Sequence, residues 1–459
     1  MSQSSPKNVP GTAVGYPNSS SVNAPTRQAI ALISIEADPD PDAETVEGRI
    51  SGQRIHVRQI GETLAKLGWQ VDIYTRKTDS NLPTIVEHAP HCRTVRLEAG
   101  PLTPLSRDQI FDHLPEFIDA FQTFQTKKAT IYPLIHTHYW LSGWIGLHLK
   151  QENNVLWVHT CHSLATDEYG ALAERPAIAQ TRLDTEREIL THADRVIVTS
   201  PDELCTVQSQ APDCPALLIP GGTDLSTFHR IPQAEARSLL GFDVDIPILL
   251  YVGRFDTRKG IDTLLEACQC LSQGEPGGYE PFTQFQVVLV GDDAGTASHE
   301  REHLEQEIQA LGLSEKVHFA GRIRHSRLPL FYTAADVCVV PSQYEPFGLV
   351  ALEAMACETP VVASDVGGLK FTVIPEETGL LVPVGDASAF ARAIARILGN
   401  PQWANTLKTK ASSHVQEAFT WTSAGAQVSD LYRRLLAESL MAAPSSNGGS
   451  ALNGSTARF

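Results

Sequence analysis

The chain has 459 residues, of which 42% are hydrophobic and 19% charged, enough apolar material for two or three domains with buried cores. Lys and Arg number 36 against 53 Asp and Glu, so the formal net charge is −17. Because nucleic acids and anionic membrane surfaces reward concentrated basic charge, this balance argues against both as partners and leaves small-molecule substrates as the expected ligands.

Both ends of the chain have the composition of tails. Residues 1–28 and 442–459 are small and polar, and we predict disorder there because they carry too little apolar surface to offset the entropy of ordering. The eight cysteines include no CxxC pair, which favours reduced thiols. No stretch approaches the ~18 consecutive apolar residues of a transmembrane helix. The sequence therefore predicts a cytoplasmic protein without an integral membrane segment, and it does not fix the oligomeric state.

Between the tails, strand-like apolar runs alternate with helical patterns in two successive series. The first, within residues 29–218, has runs at 30–35, 71–75, 134–137, 156–160 and 195–199; the second, within residues 219–423, has runs at 248–252, 286–290, 317–319, 337–340 and 360–363. Alternation of this kind indicates parallel sheets with helices on both faces. We predict an α/β fold of two Rossmann-like domains facing an interdomain cleft, with a last helix at 424–441 that crosses back to the first domain. Ligands of such sheets bind at the carboxyl ends of the strands.

Several common catalytic motifs are missing. No GxGxxG follows the first strand, and the sequence contains no GxxxxGK[ST]. A dehydrogenase or a P-loop NTPase is therefore disfavoured. HExxH and GxSxG are also absent, so the sequence gives no support to a metalloprotease or an α/β-hydrolase.

The segment after the run at 337–340 combines two carboxylates with a predicted helix start. Glu345 and Glu353 are eight residues apart, and Pro346 occupies a position where proline is favoured at the first turn. Free backbone amides at Phe347 to Leu349 would then form an anion site assisted by the helix dipole. Taken alone, the segment could equally be a capped amphipathic helix with two exposed glutamates.

A basic turn follows the run at 248–252. It places Arg254, Arg258 and Lys259 within six residues, and such cations can neutralise a leaving diphosphate without a metal ion. A solvated basic turn is the alternative for this segment alone. The paired glycines Gly367 and Gly368, which also follow a strand, permit close approach of a ligand to the backbone.

Together these segments resemble the retaining GT-B glycosyltransferases of family GT4, whose hallmarks are E-x7-E, here Glu345 and Glu353, and R-x4-K, here Arg254 and Lys259. The resemblance covers nearly all of residues 30–440. It implies that Arg254 and Lys259 hold the nucleotide diphosphate, that Glu353 meets the ribose, and that the base lies near Ile323. Glu345 and the backbone of the next helix would meet the donor sugar and phosphate, through Phe347, Gly348 and Leu349. The family needs no bound metal, so we expect no metal site and no cofactor, with Mg²⁺ at most a stimulator.

The first domain should choose the acceptor. Ser51-Gly52-Gln53 begins a segment that resembles the G-G-Q-x-x-Y-V-R-E-L segment of sucrose-phosphate synthases and of the related enzyme that glucosaminylates inositol phosphate. Ser51 stands where these enzymes usually have glycine. The resemblance places all three residues near the acceptor, and Gly52 near the donor as well.

Two histidine-rich segments end successive strands of the first domain. His162 resembles the histidine of a G-H-S-L segment that touches the transferred sugar, and His138 ends the neighbouring strand on the acceptor side. The catalytic set that the resemblance implies is therefore His162, Arg254, Lys259 and Glu345. A zinc site formed by His136, His138, His159 and His162 is the alternative, although no carboxylate or thiol spacing accompanies it.

A phosphorylated acceptor is favoured by cations near the predicted cleft. Arg182 resembles the arginine of an R-I-x-x-E-E helix that binds an acceptor phosphate, and Lys77 and Arg93 are additional candidates. The closest resemblance is to a minimal sucrose-phosphate synthase without a phosphatase domain. The expected reaction transfers glucose from a nucleotide-sugar, UDP-glucose, to fructose 6-phosphate with retention, giving sucrose 6-phosphate and a nucleoside diphosphate. The alternatives are another acceptor, such as inositol phosphate or a lipid-linked sugar, and an inactive nucleotide-sugar-binding regulator.

Overall fold

The computed structural model describes residues 27–40, 52–170, 175–291 and 299–442. Ser51 lies outside these ranges, as do the predicted tails except for residues 27, 28 and 442. The described residues form two α/β halves, each centred on one sheet.

The first half is centred on an eight-stranded sheet. Its strands are β1 (Ala29–Ile33), β2 (Gln70–Arg76), β3 (Ile85–Ala89), β4 (Cys92–Leu97), β5 (Leu134–His138), β6 (Leu156–Thr160), β7 (Arg195–Val198) and β8 (Ala216–Leu218). Its helices are α1 (Gly52–Lys66), α2 (Arg107–Asp112), α3 (Leu114–Lys128), α4 (Tyr139–Asn153), α5 (Ala165–Gly170), α6 (Ala179–His192) and α7 (Pro201–Gln210). The strand order is β3-β4-β2-β1-β5-β6-β7-β8, and β3 alone runs antiparallel to its neighbour.

The second half is centred on a six-stranded, wholly parallel sheet. Its strands are β9 (Ile248–Val252), β10 (Gln286–Val290), β11 (Val317–Gly321), β12 (Val337–Val340), β13 (Val361–Ser364) and β14 (Leu380–Val382). Its helices are α8 (Gln233–Leu240), α9 (Ile261–Gln273), α10 (His299–Ala310), α11 (Leu328–Ala334), α12 (Leu349–Ala356), α13 (Leu369–Thr372), α14 (Ala387–Leu398) and α15 (Pro401–Ala418), with 3₁₀ turns at Thr257–Lys259 and His325–Arg327. The strand order is β11-β10-β9-β12-β13-β14.

The last helix, α16 (Trp421–Ala442), packs on the first half, against α1. Its buried side chains, among them Val428 and Tyr432, share a core cluster with Ile60 of α1 and Val71 of β2. The Trp69 indole also donates a hydrogen bond of 2.9 Å to the Ser429 hydroxyl.

The predicted α/β class and the pair of parallel sheets are confirmed. Both sheets have strands that are apolar on both faces: Ile30 to Ile33 and Val287 to Val290 are each 2% exposed or less, as expected for strands covered by helices on both sides. The predicted domain limits at 218/219 and 423/424 remain predictions. Helix α12 differs from expectation, because it begins at Leu349 after Gly348, a residue with φ of 92°, and Pro346 therefore lies in the preceding loop.

Candidate active site

The ends of both sheets border one cavity of about 360 Å³. Its wall combines the start of α1 and the loop after β6 with the loops that follow β9, β11 and β12. Most of the residues predicted from the sequence line it: Gly52, Gln53, His162, Arg254, Lys259, Ile323, Glu345, Phe347, Gly348, Leu349 and Glu353.

The basic turn after β9 is held in shape by Asp256 and Gly260. The Asp256 carboxylate accepts a hydrogen bond from the backbone N–H of Arg258 and caps the 3₁₀ turn. Gly260 has φ of 66°, and a Cβ there would collide with the carbonyl oxygen of Pro341. The turn presents the Lys259 ammonium 2.6 Å from a Glu345 carboxylate oxygen and the Arg254 guanidinium 3.6 Å from Asp256. These cations stand where a diphosphate would need neutralising charge.

The loop between β12 and α12 runs close to a second backbone segment. A Cβ on Gly368 would collide with the Cα of Phe347, and one on Gly367 would collide with the Glu345 carbonyl oxygen, so both glycines are required by close approach. The Gly348 N–H donates 3.3 Å to the Glu345 carboxylate. The first backbone amides of α12 therefore face the cavity beside Glu345, a favourable place for an anion.

Glu353 lies deeper in the same wall and is 3% exposed. Its two oxygens accept hydrogen bonds from His325 Nε2 at 2.6 Å and from the Tyr332 hydroxyl at 2.8 Å. Burial would lower the pKa of His325, but the Glu353 charge and hydrogen bond raise it above its ordinary value. The His325 ring packs against Phe228, with centroids 4.8 Å apart, so the carboxylate is fixed in one orientation.

The first half contributes a cluster of three imidazoles. His138 Nδ1 lies 3.0 Å from His162 Nε2, and the His56 ring packs edge-on against His162 at 4.7 Å. Burial lowers the pKa of His56 to about 4 and that of His138 and His162 well below the usual value, so all three rings are neutral at pH 7. His162 has φ of 62°, a strained conformation that projects its ring into the cavity.

The four histidines of the alternative zinc site do not form one metal-binding group among the described residues, although His138 and His162 are in contact. His136 bonds to the hydroxyls of Tyr432 (2.5 Å) and Thr160 (2.7 Å), and His159 bonds to Thr137. His56, His138 and His162 instead each offer one ring nitrogen within 4.8 Å of the others, so a metal-binding geometry exists there, although the direct His138–His162 contact already satisfies two of these nitrogens.

Four predicted acceptor residues lie behind the cavity wall or away from it. Arg93 is paired with Asp72, and Lys77 is buried next to strand β2 without lining the cavity. His138 stands behind His162. Arg182 is 1% exposed and donates to two carboxylates, because a guanidinium buried this far from water requires anionic partners. The sequence indicated cations in this region but not which of them reach the cavity.

Those two carboxylates are Glu168, at 2.8 Å, and Glu186, at 2.7 Å. Burial raises the pKa of Glu168 and the Arg182 and Arg107 charges lower it, with a net fall to about 2. The cavity therefore contains a carboxylate that is ionised at neutral pH.

Sequence reasoning missed several residues that line the cavity. Arg107, at the first turn of α2, has a side chain 41% exposed and places its guanidinium 4.8 Å from the Tyr139 ring centroid and 3.8 Å from Glu168. Arg258 was visible as a cation of the basic turn, but nothing in the sequence pointed to its partner. For His325 the only signal in the sequence was its place in the loop after β11, where ligands of a parallel sheet are expected. Of three other missed residues, His56 lies in the segment that begins at Ser51 and Tyr139 directly follows β5, whereas Glu168, on α5, gives no local signal.

Comparison with known proteins identifies the family. The model described as "Glycosyl transferases group 1" matches residues 232–414, and the model described as "Glycosyl transferase 4-like domain" matches residues 51–220. The chain belongs to these glycosyltransferases, of the GT4 type with the GT-B fold.

Individual relatives point in two directions. A solved sucrose-phosphate synthase from Thermosynechococcus elongatus is 49% identical, with a TM-score of 0.82, and the match covers 90% of this chain and 100% of that chain. A D-inositol 3-phosphate glycosyltransferase from Saccharomonospora viridis is 35% identical over 414 residues, which cover 89% of this chain and 94% of the relative. An Anabaena protein solved with UDP and glucose is 20% identical with a TM-score of 0.69, a likeness of fold alone. Within the described residues, no helix is both long and apolar enough to cross a membrane.

Proposed function

We propose that the protein is a sucrose-phosphate synthase that transfers glucose from UDP-glucose to fructose 6-phosphate with retention of configuration. The observation that carries the proposal is the 49% identity to a sucrose-phosphate synthase over the whole of that chain, joined to a cavity with cations on both sides. The second half would bind the nucleotide-sugar and the first half would bind the acceptor.

On the donor side, the cations and the start of α12 would together neutralise the leaving diphosphate. The bond between the glucose C1 and the diphosphate oxygen breaks, and negative charge accumulates on the leaving oxygen. Arg254, Lys259 and the first amides of α12 offset this charge without a metal ion, which is the largest electrostatic contribution available to such a site. Glu353, fixed by His325 and Tyr332, would accept hydrogen bonds from the ribose hydroxyls.

On the acceptor side, the fructose hydroxyl would attack C1 from the face that the diphosphate leaves. Its proton passes to the departing phosphate oxygen, which balances the reaction without a dedicated base. His162, neutral and projected into the cavity, would hydrogen-bond a hydroxyl of the transferred glucose. Arg107 would meet the acceptor phosphate, since it lines the cavity and its side chain is 41% exposed.

A second acceptor is favoured by one observation: a relative that is 35% identical carries the name D-inositol 3-phosphate glycosyltransferase. A matrix of donors and acceptors separates the two. UDP-, ADP- and GDP-glucose, and UDP-N-acetylglucosamine, are each paired with fructose 6-phosphate, fructose and inositol 3-phosphate, and nucleotide release is measured with and without EDTA.

We expect the fastest turnover with UDP-glucose and fructose 6-phosphate, unchanged by EDTA, and an α-linked glucosyl unit in the product by NMR. Turnover with inositol 3-phosphate but none with fructose 6-phosphate would refute the proposed acceptor. A β-linked product would refute retention, and loss of activity in EDTA would refute the metal-free leaving-group mechanism.

A further inference from the structure

Glu168 of α5 accepts charged hydrogen bonds from both halves of the protein. From the second half, Arg258 Nη1 donates to Glu168 Oε1 at 2.8 Å. From the first half, Arg182 Nη1 donates to Glu168 Oε2 at 2.8 Å, and Arg107 Nη1 lies 3.8 Å from Oε1. One carboxylate that is 7% exposed thus joins the basic turn of the donor side to the arginines of the acceptor side.

Arg258 is rigidly presented to this carboxylate. Its Nε and Nη2 donate to the two oxygens of Asp256 at 3.0 and 2.7 Å, and its backbone carbonyl accepts from the N–H of Gln343 at 2.8 Å. The fork of hydrogen bonds leaves Nη1 directed across the cleft. Arg258 and Lys259 are neighbours in one 3₁₀ turn, so the contact with Glu168 and a cation of the proposed leaving-group site share one short backbone segment.

The other end of the contact is equally constrained. Arg182 Nε donates to Glu186 at 2.7 Å, and Glu186 accepts the Ala165 N–H at 2.8 Å, at the start of the helix that carries Glu168. The Ser163 hydroxyl, next to His162, donates 3.2 Å to the Glu168 carboxylate. The position of the carboxylate is therefore linked to the loop that presents His162 to the substrate.

A second ion pair joins the halves but lacks these features. Lys370 Nζ lies 2.5 Å from Asp202, and the two side chains are 43% and 46% exposed, against 20% and 9% for Arg258 and Glu168. Exposed pairs of this kind contribute ~0–1 kcal/mol because water and salt screen them. Lys370 and Asp202 also do not line the cavity, so the pair serves as an internal control.

We propose that the Arg258–Glu168 pair is an interdomain positioning contact that couples closure of the cleft to correct placement of the donor-side cations and of His162. It rests on the proposed function only in that the cleft binds a nucleotide-sugar. Arg258 and Glu168 act through Lys259 and His162, and domain closure of this kind assembles a site from two halves.

The test compares Arg258→Gln, Glu168→Gln, the double variant and Lys370→Gln. Small-angle scattering of each full-length protein with saturating UDP reports closure without any acceptor or turnover. We expect the wild type and Lys370→Gln to match the scattering curve of the structure, and Arg258→Gln to give a larger radius of gyration. The Glu168→Gln and double variants should open to the same extent as Arg258→Gln, because the two residues act as one contact.

Kinetics supply the second readout. Arg258→Gln should lower kcat about tenfold, and the double variant should lower it no further, whereas Lys370→Gln should stay within twofold of the wild type. Arg258→Gln is the decisive variant if Glu168→Gln fails to fold, because its side chain is partly exposed and its removal leaves Glu168 paired with Arg182. An Arg258→Gln scattering curve identical to that of the wild type, or losses in the double variant that add, would overturn the coupling. A wild type that closes with UDP but does not use fructose 6-phosphate would instead overturn the proposed acceptor.

Discussion

Replacing Lys259 with Met should slow glycosyl transfer about 200-fold. The Lys259 ammonium is 2.6 Å from Glu345, and under the proposed function the same cavity accepts a diphosphate, so Lys259 would lie between two anions. Without it, two unit charges roughly 5 Å apart at an effective dielectric constant of about 20 repel by about 3 kcal/mol, which corresponds to a loss of about 200-fold in rate. The charge on the diphosphate is greatest as the C1–O bond breaks, so kcat should fall more than the donor KM rises.

The assay measures UDP release at saturating UDP-glucose and fructose 6-phosphate, with UDP affinity measured separately by calorimetry. Lys410→Met is the matched control, because that side chain is 53% exposed and lies 3.9 Å from Glu377, away from the cavity. Lys259→Arg keeps the charge and should recover part of the lost rate. A Lys259→Met enzyme within threefold of the wild-type kcat would refute the electrostatic reasoning, and so would a loss shared equally by Lys410→Met.

Three further changes test the structure around the site. Gly260→Ala forces a left-handed φ on alanine, at a cost of about 1–2 kcal/mol, and drives a methyl group into the Pro341 carbonyl. Thermal denaturation should therefore show a lower midpoint, and the donor KM should rise. An unchanged midpoint and an unchanged KM would contradict the geometry. Burial raises the pKa of Glu203 to about 7, so this carboxyl stays protonated in the folded protein while it ionises in the unfolded chain above pH 4.5. The contribution of Glu203 to stability should therefore fall by about 3 kcal/mol between pH 4.5 and 7, so Glu203→Gln should be more stable than the wild type at pH 8 but not at pH 4, as measured by urea denaturation. Arg182→Ala leaves the buried Glu186 without its cation, while Glu168 keeps Arg258, and should destabilise the protein by about 3–5 kcal/mol, so denaturation should reveal the loss before any selective change in acceptor KM; a fully stable variant would refute this.

Most central strands and the edge strand β11 could be predicted from the sequence, whereas β4 and the edge strands β3, β8 and β14 could not. Runs such as 248–252 and 286–290 are apolar throughout, because they are covered on both faces, and continuous apolar runs are the signal of a buried parallel strand. Strand β3 (Ile85–Ala89) is at the edge, half-exposed and antiparallel, and its five residues show neither a continuous apolar run nor an alternation of polar and apolar residues. Strands β8 and β14 have three residues each, so neither offers a pattern.

The residues predicted for the donor side lie together in the cavity because they are local in sequence. Arg254 and Lys259 occupy one turn, and Glu345 and Glu353 occupy one loop and the helix that follows, so spacing along the chain carries the information. The acceptor side is assembled from α1, α2, α5 and the loop after β6, which are distant in sequence. Which arginine is buried there and which reaches the cavity depends on packing, and no spacing rule distinguishes Arg182 from Arg107.

A chain with a net charge of −17 can contain a cavity rich in cations because these cations are paired with carboxylates. Three of the cavity cations are each held against a carboxylate: Lys259 against Glu345, Arg258 against Asp256 and Glu168, and Arg107 near Glu168. These carboxylates hold the cations in place, so less side-chain freedom would be lost if the proposed phosphates bind there. They also cancel part of the positive charge, which keeps an empty cleft from attracting polyanions. In the proposed reaction, an incoming diphosphate would therefore have to match the fixed positions of the cations rather than the overall charge of the cleft.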